Sequence, residues 1–166
     1  MSPDGGRGGK RSDDTSDLLF SCLAFQPFLL YIDPFVFSYS TVNLETIRAY
    51  CLKKPGKITE GFPFGEDVLV FKLNGKIFLL VLVDEQPLAL NLKCDPEQAI
   101  EWREQYEAVQ PGYHMNKKHW NTVTLDGSIL RQEVLRMIDH SYEQVVKGLK
   151  KSDREKLLKH AKQKLY

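Results

Sequence analysis

Cysteine is scarce and scattered: Cys22, Cys51 and Cys94 are the only three, and no CxxC pair occurs. That excludes a disulfide framework and a structural zinc site, and it fits a reducing cytoplasm. An excess of one charge is also lacking. The 23 Lys+Arg and 22 Asp+Glu leave a net charge of +1, which excludes a histone-like polycation or an acidic-tail protein. No glycine-rich phosphate loop is expected, since Gly61, Gly65 and Gly75 read as separate turn residues. No internal repeat is evident. An unbroken apolar run of membrane length is missing too. Residues 18–37, LLFSCLAFQPFLLYIDPFVF, are apolar at 15 of 20 positions, but Pro27 and Asp33-Pro34 interrupt them. A membrane helix needs about 20 predominantly apolar residues. A signal peptide fits no better, because Asp13, Asp14 and Asp17 precede the run and no small-x-small site follows. What remains is 166 residues, 42% apolar and 27% charged, the size and composition of one globular domain with an appendage.

The appendage is at the start. Residues 1–17 have almost nothing to bury and are expected to be disordered. Seven of the 18 aromatics then fall between Phe20 and Tyr39 without a period of 2 or 3.6. Two readings stay open for residues 1–41: translated sequence upstream of a true start near Val42, or an accessory segment that packs on the domain or binds a partner.

From Val42 the elements follow in order. Asn43 is an N-cap, and Leu44, Ile47, Cys51 and Leu52 repeat at helical spacing until Lys53-Lys54-Pro55-Gly56. Residues 57–64 predict a short strand. Two β-rich runs around Asn74-Gly75 predict a type I′ hairpin, and the unalternating Ile77–Val83 predicts a central strand covered on both sides. LALNLKC, residues 88–94, is a further strand. Asp95-Pro96 opens a helix to about Tyr106, and Pro111-Gly112 breaks it. One or two strands are expected through residues 113–125, closed by Asp126-Gly127. A long helix from about Leu130 to Leu149 carries the stripe Val134, Ile138, Tyr142, Val145 and Leu149. A basic tail, residues 150–166, predicts one more helix with Ser152 and Glu155 as capping box. The order predicts an α+β fold, with an antiparallel sheet packed against helices. The domain spans residues 42–149.

The near-zero net charge hides an uneven distribution. Residues 1–40 carry 3 basic and 5 acidic groups, residues 41–110 carry 8 and 11, and residues 111–166 carry 12 and 6. Attraction to phosphate therefore belongs to the last third. There, residues 113–120 read Tyr-His-Met-Asn-Lys-Lys-His-Trp. Lys117 and Lys118 can neutralise phosphates, Asn116 can hydrogen-bond a base edge or phosphate, and Tyr113 and Trp120 offer stacking faces beside His114 and His119. Lys93 is expected to point outward beside the same surface. The competing reading makes Tyr113 and Trp120 anchors of the core with solvated lysines, and Val123 and Leu125 downstream favour it for Trp120.

Enzyme chemistry finds little support. His114 and His119 lack further ligands at a metal-binding spacing, so neither metal nor cofactor is expected. Nothing in the sequence joins Cys94 to a histidine base. Asp139-His140-Ser141 lie consecutively on one helix and point about 100° apart, so they cannot converge on one atom. Asp139 and Ser141 are expected to hold neighbouring backbone.

Several motifs stand in sequence: Tyr50-Cys51-Leu52 with Pro55-Gly56, Phe62-Pro63-Phe64-Gly65, Asn91-Leu92-Lys93-Cys94, Pro111 to Lys117, His119 to Thr122, and Ile138 to Tyr142. Together they resemble the MmcQ/YjbR family of small bacterial proteins, over about residues 43–149. The resemblance implies a frataxin-like (CyaY-like) α/β sandwich and a DNA-binding role through hairpins, without established catalytic residues. Iron-binding frataxins use an acidic first helix, whereas here Glu45 faces Arg48, Lys53 and Lys54. The start of the last long helix, usually acidic and proline-containing in the family, reads Ile129-Leu130-Arg131-Gln132. The leading expectation is a cytoplasmic, non-enzymatic protein with no membrane association that contacts the DNA backbone. The alternative is a protein-interaction or adaptor module on the same fold, its basic face meeting an acidic protein partner.

Overall fold

The computed structural model describes residues 42–163; the readings made for residues 1–41 lie outside the described residues. Helix α1, Leu44–Leu52, starts where the Asn43 side chain accepts from the Thr46 N–H at 2.8 Å. Ile47 and Cys51 are its buried positions. Strand β1, Ile58–Gly61, is shorter than expected, since the chain leaves the ladder at Phe62 and Pro63 has no N–H to offer. Strands β2, Val68–Leu73, and β3, Lys76–Leu82, form the expected hairpin. Asn74 and Gly75 both have positive φ, 48° and 80°, as a type I′ turn requires.

Strand β4, Ala89–Lys93, follows. Helix α2, Pro96–Gln105, is capped by Asp95, whose carboxylate accepts from the Glu97 N–H. The next strands differ from expectation. Strand β5 is Val109–Pro111 and β6 is Trp120–Thr124, so residues 112–119 are a loop. Two residues explain it. His114 sits at φ 54°, outside strand geometry, and Asn116 turns the chain by accepting from the Lys118 N–H at 3.0 Å.

Helix α3, Arg131–Lys147, begins after the exposed Leu130, which makes no side-chain cap. Helix α4, Lys151–Gln163, starts from the Lys150 carbonyl. Ser152 therefore lies inside the first turn and cannot be the cap that the sequence suggested.

The six strands run antiparallel in the order β1-β2-β3-β4-β6-β5. All four helices among the described residues contribute to one core with the inner sheet face, where Leu69, Phe71, Leu79, Val81, Leu90, Leu92 and Val123 lie. The fold is α+β. The unalternating β3 is central, as its composition required: Phe78, Leu79, Leu80 and Val81 are all buried.

A β-bulge falls between Phe71 and Lys72, opposite Phe78. It opens a gap between β3 and β4, and Ser141 of α3 fills it. The Ser141 hydroxyl donates to the Phe78 carbonyl and accepts from the Lys93 N–H at 2.7 Å, so both backbone groups are satisfied through one buried side chain. This bears out the expectation for Ser141. Asp139 differs: it takes the Tyr50 hydroxyl at 2.7 and 2.8 Å and the Lys54 ammonium, clamping α1 to α3 by side chains.

Candidate functional site

Alternation along the strands puts Val68, Val70 and Lys72 of β2 on the sheet face away from the core. Through the ladder registers, Ile77, Leu80 and Leu82 of β3 share that outer face, with Ala89, Asn91 and Lys93 of β4 and Trp120, Thr122 and Thr124 of β6. Two loops stand beside it. Residues Phe62 and Pro63 line a cavity of about 330 Å³ with Val70 and Lys72. Phe64 and Tyr113–Met115 line a larger cleft of about 550 Å³ whose floor includes Leu80 and Asn91.

One end of this face is basic. Lys93 is paired with Trp120 and Lys72 with Ile77, both at the end of the sheet beyond the Leu79–Leu92 pair. With one strand between them, β2 and β4 lie about 10 Å apart across the sheet. Both are half-buried, as long side chains are when their stems lie on apolar surface. Lys117 and Lys118 sit on the exposed turn that leads into Trp120. None of these four lysines enters an ion pair among the described residues.

The turn is held from the other side of the sheet. Arg103 of α2 donates through Nε to Asn121 Oδ1 at 2.8 Å and through Nη2 to the carbonyls of Lys117 and Trp120, at 2.5 and 3.2 Å. Gly112 packs against the start of β6, where an added Cβ would fall 2.8 Å from Trp120 Cβ and 3.0 Å from its carbonyl oxygen. Any larger residue there would push the two limbs of the loop apart.

The structure thus brings Lys93, Lys117, Lys118 and Trp120 to one end of one face. Trp120 is half-buried on the outer face and takes no part in the main core, against the expectation of a core anchor, because Asn121 and Val123 hold the inward positions of β6. Tyr113, 63% exposed, and His114 meet with ring centroids 4.0 Å apart and planes tilted by 55°, and both line the cleft. Asn116 uses its side-chain oxygen to shape the turn, and its backbone carbonyl accepts from His119 N at 2.9 Å. His119 is half-buried within that turn.

Sequence reasoning missed Lys72, Asn91, Phe64 and Arg103. A signal existed for Lys72, the one charged residue in VLVFKL, on the parity of Val68 and Val70.

The other polar groups serve the fold. Burial pushes the thiols of Cys51 and Cys94 up to about 12, which leaves both protonated and unreactive at neutral pH. Burial alone would lower Lys54, but its hydrogen bonds to Asp139 and Tyr50 together raise it. His140 packs edge-on against Trp102 with centroids 5.1 Å apart, and its Nε2 accepts from the Asp95 N–H at 3.1 Å. Burial, with Lys147 nearby, holds its pKa below the usual histidine value. No group of three or more metal-ligating side chains occurs among the described residues. No helix among them is long and apolar enough to cross a membrane.

Comparison with known proteins agrees with this architecture. The YjbR family profile matches residues 52–144. The uncharacterized protein YbdF of Escherichia coli is 40% identical over 114 residues, covering 68% of this chain and 92% of its own. The uncharacterized protein YjbR of Escherichia coli is 32% identical over 117 residues, covering 70% and 98%. Among solved structures, the Deinococcus radiodurans protein DR2400, with the domain called DUF419, superposes with a TM-score of 0.66 at 37% identity, over 69% of this chain and 87% of that one. A protein from Pseudomonas syringae gives 0.52 at 27% identity, over 60% and 96%. The motifs, the six-stranded sheet and these likenesses converge: the chain belongs to the YjbR (MmcQ/YjbR) family.

Proposed function

We propose that this protein binds DNA through the lysine end of its outer sheet face, with contacts directed mainly at phosphates. The observation that carries the reading is the set of four lysines that enter no ion pair among the described residues. Lys72 and Lys93 stand at one end of the outer face on either side of β3, and Lys117 and Lys118 are presented by a braced turn beside Trp120. Lysine is a point charge suited to phosphate, and such contacts set affinity and register with little sequence information. No side chain in this group is arranged for bidentate base readout. A binding role rather than catalysis is supported by the structural employment of Asp139, His140 and Ser141 and by the two buried thiols. DNA as partner makes the cytoplasm the site of action.

The test is a salt titration with two unrelated duplexes. Lys117→Ala with Lys118→Ala weakens both about equally and lowers the log–log salt slope by roughly 1 for each phosphate no longer neutralised. Helix α4 is the necessary control, because it is rich in lysine but meets the domain near Gly56 and Leu73, at the β1–β2 side of the sheet. Truncation after Leu149 leaves most of the affinity if the lysine end is the site. Loss of binding on truncation, with the lysine pair silent, assigns binding to the tail. A wild-type protein without salt-dependent affinity for DNA returns the adaptor module, with an acidic protein as its partner.

A further inference from the structure

The larger cleft on the outer face has a different chemistry from the lysine end. Its floor is Val68, Leu80 and Leu82, and the exposed rings of Phe64 and Tyr113 stand at its sides. The charged residues that line it are all acidic: Asp67, Asp84 and Glu85, with no lysine or arginine. The Val83 N–H bonds the Asp67 carbonyl at 2.9 Å, which sets the start of β2 beside the end of β3 and gathers these carboxylates at one mouth. None of the three enters an ion pair among the described residues.

A second observation points into the same space. Asn91 is only 3% exposed, yet it lines the cleft. Its orientation is fixed by a relay: the Tyr113 N–H donates to Thr122 Oγ1 at 2.9 Å, and Thr122 Oγ1 donates to Asn91 Oδ1 at 2.6 Å. That leaves the Asn91 amide nitrogen, with two N–H donors, without a hydrogen-bond partner among the described residues. The nitrogen is not an orphaned buried atom but reaches the open space of the cleft, and a fixed polar donor on an otherwise apolar floor is what orients a ligand acceptor. The backbone over the cleft also carries His114 at positive φ, a conformation that costs energy in a residue with a Cβ and gathers at functional sites.

We propose that this cleft is a binding site for a small arylalkyl ammonium ligand with a hydrogen-bond acceptor on its ring. The ring lies on Leu80 and Leu82 between Phe64 and Tyr113, the acceptor takes an N–H of Asn91, and the ammonium faces the three carboxylates. Aromatic walls favour a cation as well as a ring. A phosphate-bearing ligand is disfavoured by the carboxylates, so this site is separate from the lysine end.

The experiment titrates the isotope-labelled full chain with tyramine, followed by amide resonances. Two isosteres serve as controls: 4-hydroxyphenylacetate, which reverses the charge, and phenethylamine, which lacks the acceptor. Tyramine moves the resonances of Leu80, Leu82, Asn91 and Tyr113 saturably, phenethylamine binds more weakly, and the anion binds not at all. Changing two of the three acids, Asp84→Asn and Glu85→Gln, weakens tyramine by about fivefold or more. The Lys117→Ala, Lys118→Ala protein binds tyramine as the wild type does. The proposal is overturned by equal binding of the anion, by equal binding of phenethylamine, by shifts confined to another surface, or by no saturation with tyramine.

Discussion

At one end of the outer sheet face, Lys72 and Lys93 flank β3, and a turn with two more lysines stands beside them. At the other end, Asp67, Asp84 and Glu85 gather where β2 begins and β3 closes. About four residues of strand, or roughly 13 Å, separate them. Over that distance mobile ions screen much of the interaction between exposed groups, since the Debye length at physiological salt is about 8 Å. The two ends therefore act as separate fields. A net charge of +1 for the whole chain is a sum over regions that a ligand never feels together. What a partner meets is decided by the position of each charge on the sheet.

The largest way to break this comparison is to remove what holds the basic end in place. Ser141→Ala leaves the Phe78 carbonyl and the Lys93 N–H without their shared partner. At about 1–3 kcal/mol for each of two buried unsatisfied groups, the loss is about 2–6 kcal/mol, read from the denaturant midpoint. An unchanged midpoint would mean that β3 and β4 close the gap directly.

Next in size is the double change Lys72→Ala, Lys93→Ala. It lowers the log–log salt slope of duplex binding by roughly 2 if both lysines meet phosphate. Tyramine affinity at the cleft stays as it was. A change in both readouts would merge the two ends into one site.

The reverse substitution, Asp84→Asn with Glu85→Gln, sharpens the same contrast. It raises duplex affinity only about twofold at low salt, and the gain disappears at physiological salt, as screening of distant exposed charges requires. A large gain that survives salt would place DNA across the whole face.

The smallest effect concerns pH. Neutral His140 is the form that accepts from the Asp95 N–H, and its folded pKa is held below the unfolded value by burial. As pH falls from 7 towards 5 the unfolded chain takes up the proton first, so stability declines across that window and is whole above about pH 6.5. His140→Gln flattens this slope in thermal unfolding profiles, and an equally steep slope in that variant assigns the titration to other groups.

The sequence made much of the frame legible because its signals were local. Asn43, Asp95-Pro96 and Asn74-Gly75 each act on neighbours within four residues, and all three work as read. The lysines of residues 117 and 118 were visible for the same reason. Lys72 was not, because its placement beside Lys93 depends on a bulge in β2–β3 and on the β4 register, both set by pairing between strands and not by sequence neighbours. Asn91 was hidden for a related reason. It sits in a strand among leucines, and only the loop that brings Tyr113 over Thr122 turns it into a donor in a cleft. The reading of residues 113–119 as strand failed because short-range turn chemistry at His114 and Asn116 prevailed over the extended pattern.

Arg103 has a consequence for the energetics of association. Its guanidinium ties the lysine-bearing turn to a helix through the carbonyls of Lys117 and Trp120, so the backbone there is already in one conformation before any partner arrives. Immobilising a loose segment on binding costs conformational entropy, and a segment ordered in advance avoids that loss. The arginine, neutralised by no carboxylate in these contacts, also adds its own positive charge behind the turn. Complex formation here should therefore resemble the docking of a rigid edge, with little change in chain order and a heat capacity change set by surface contact alone.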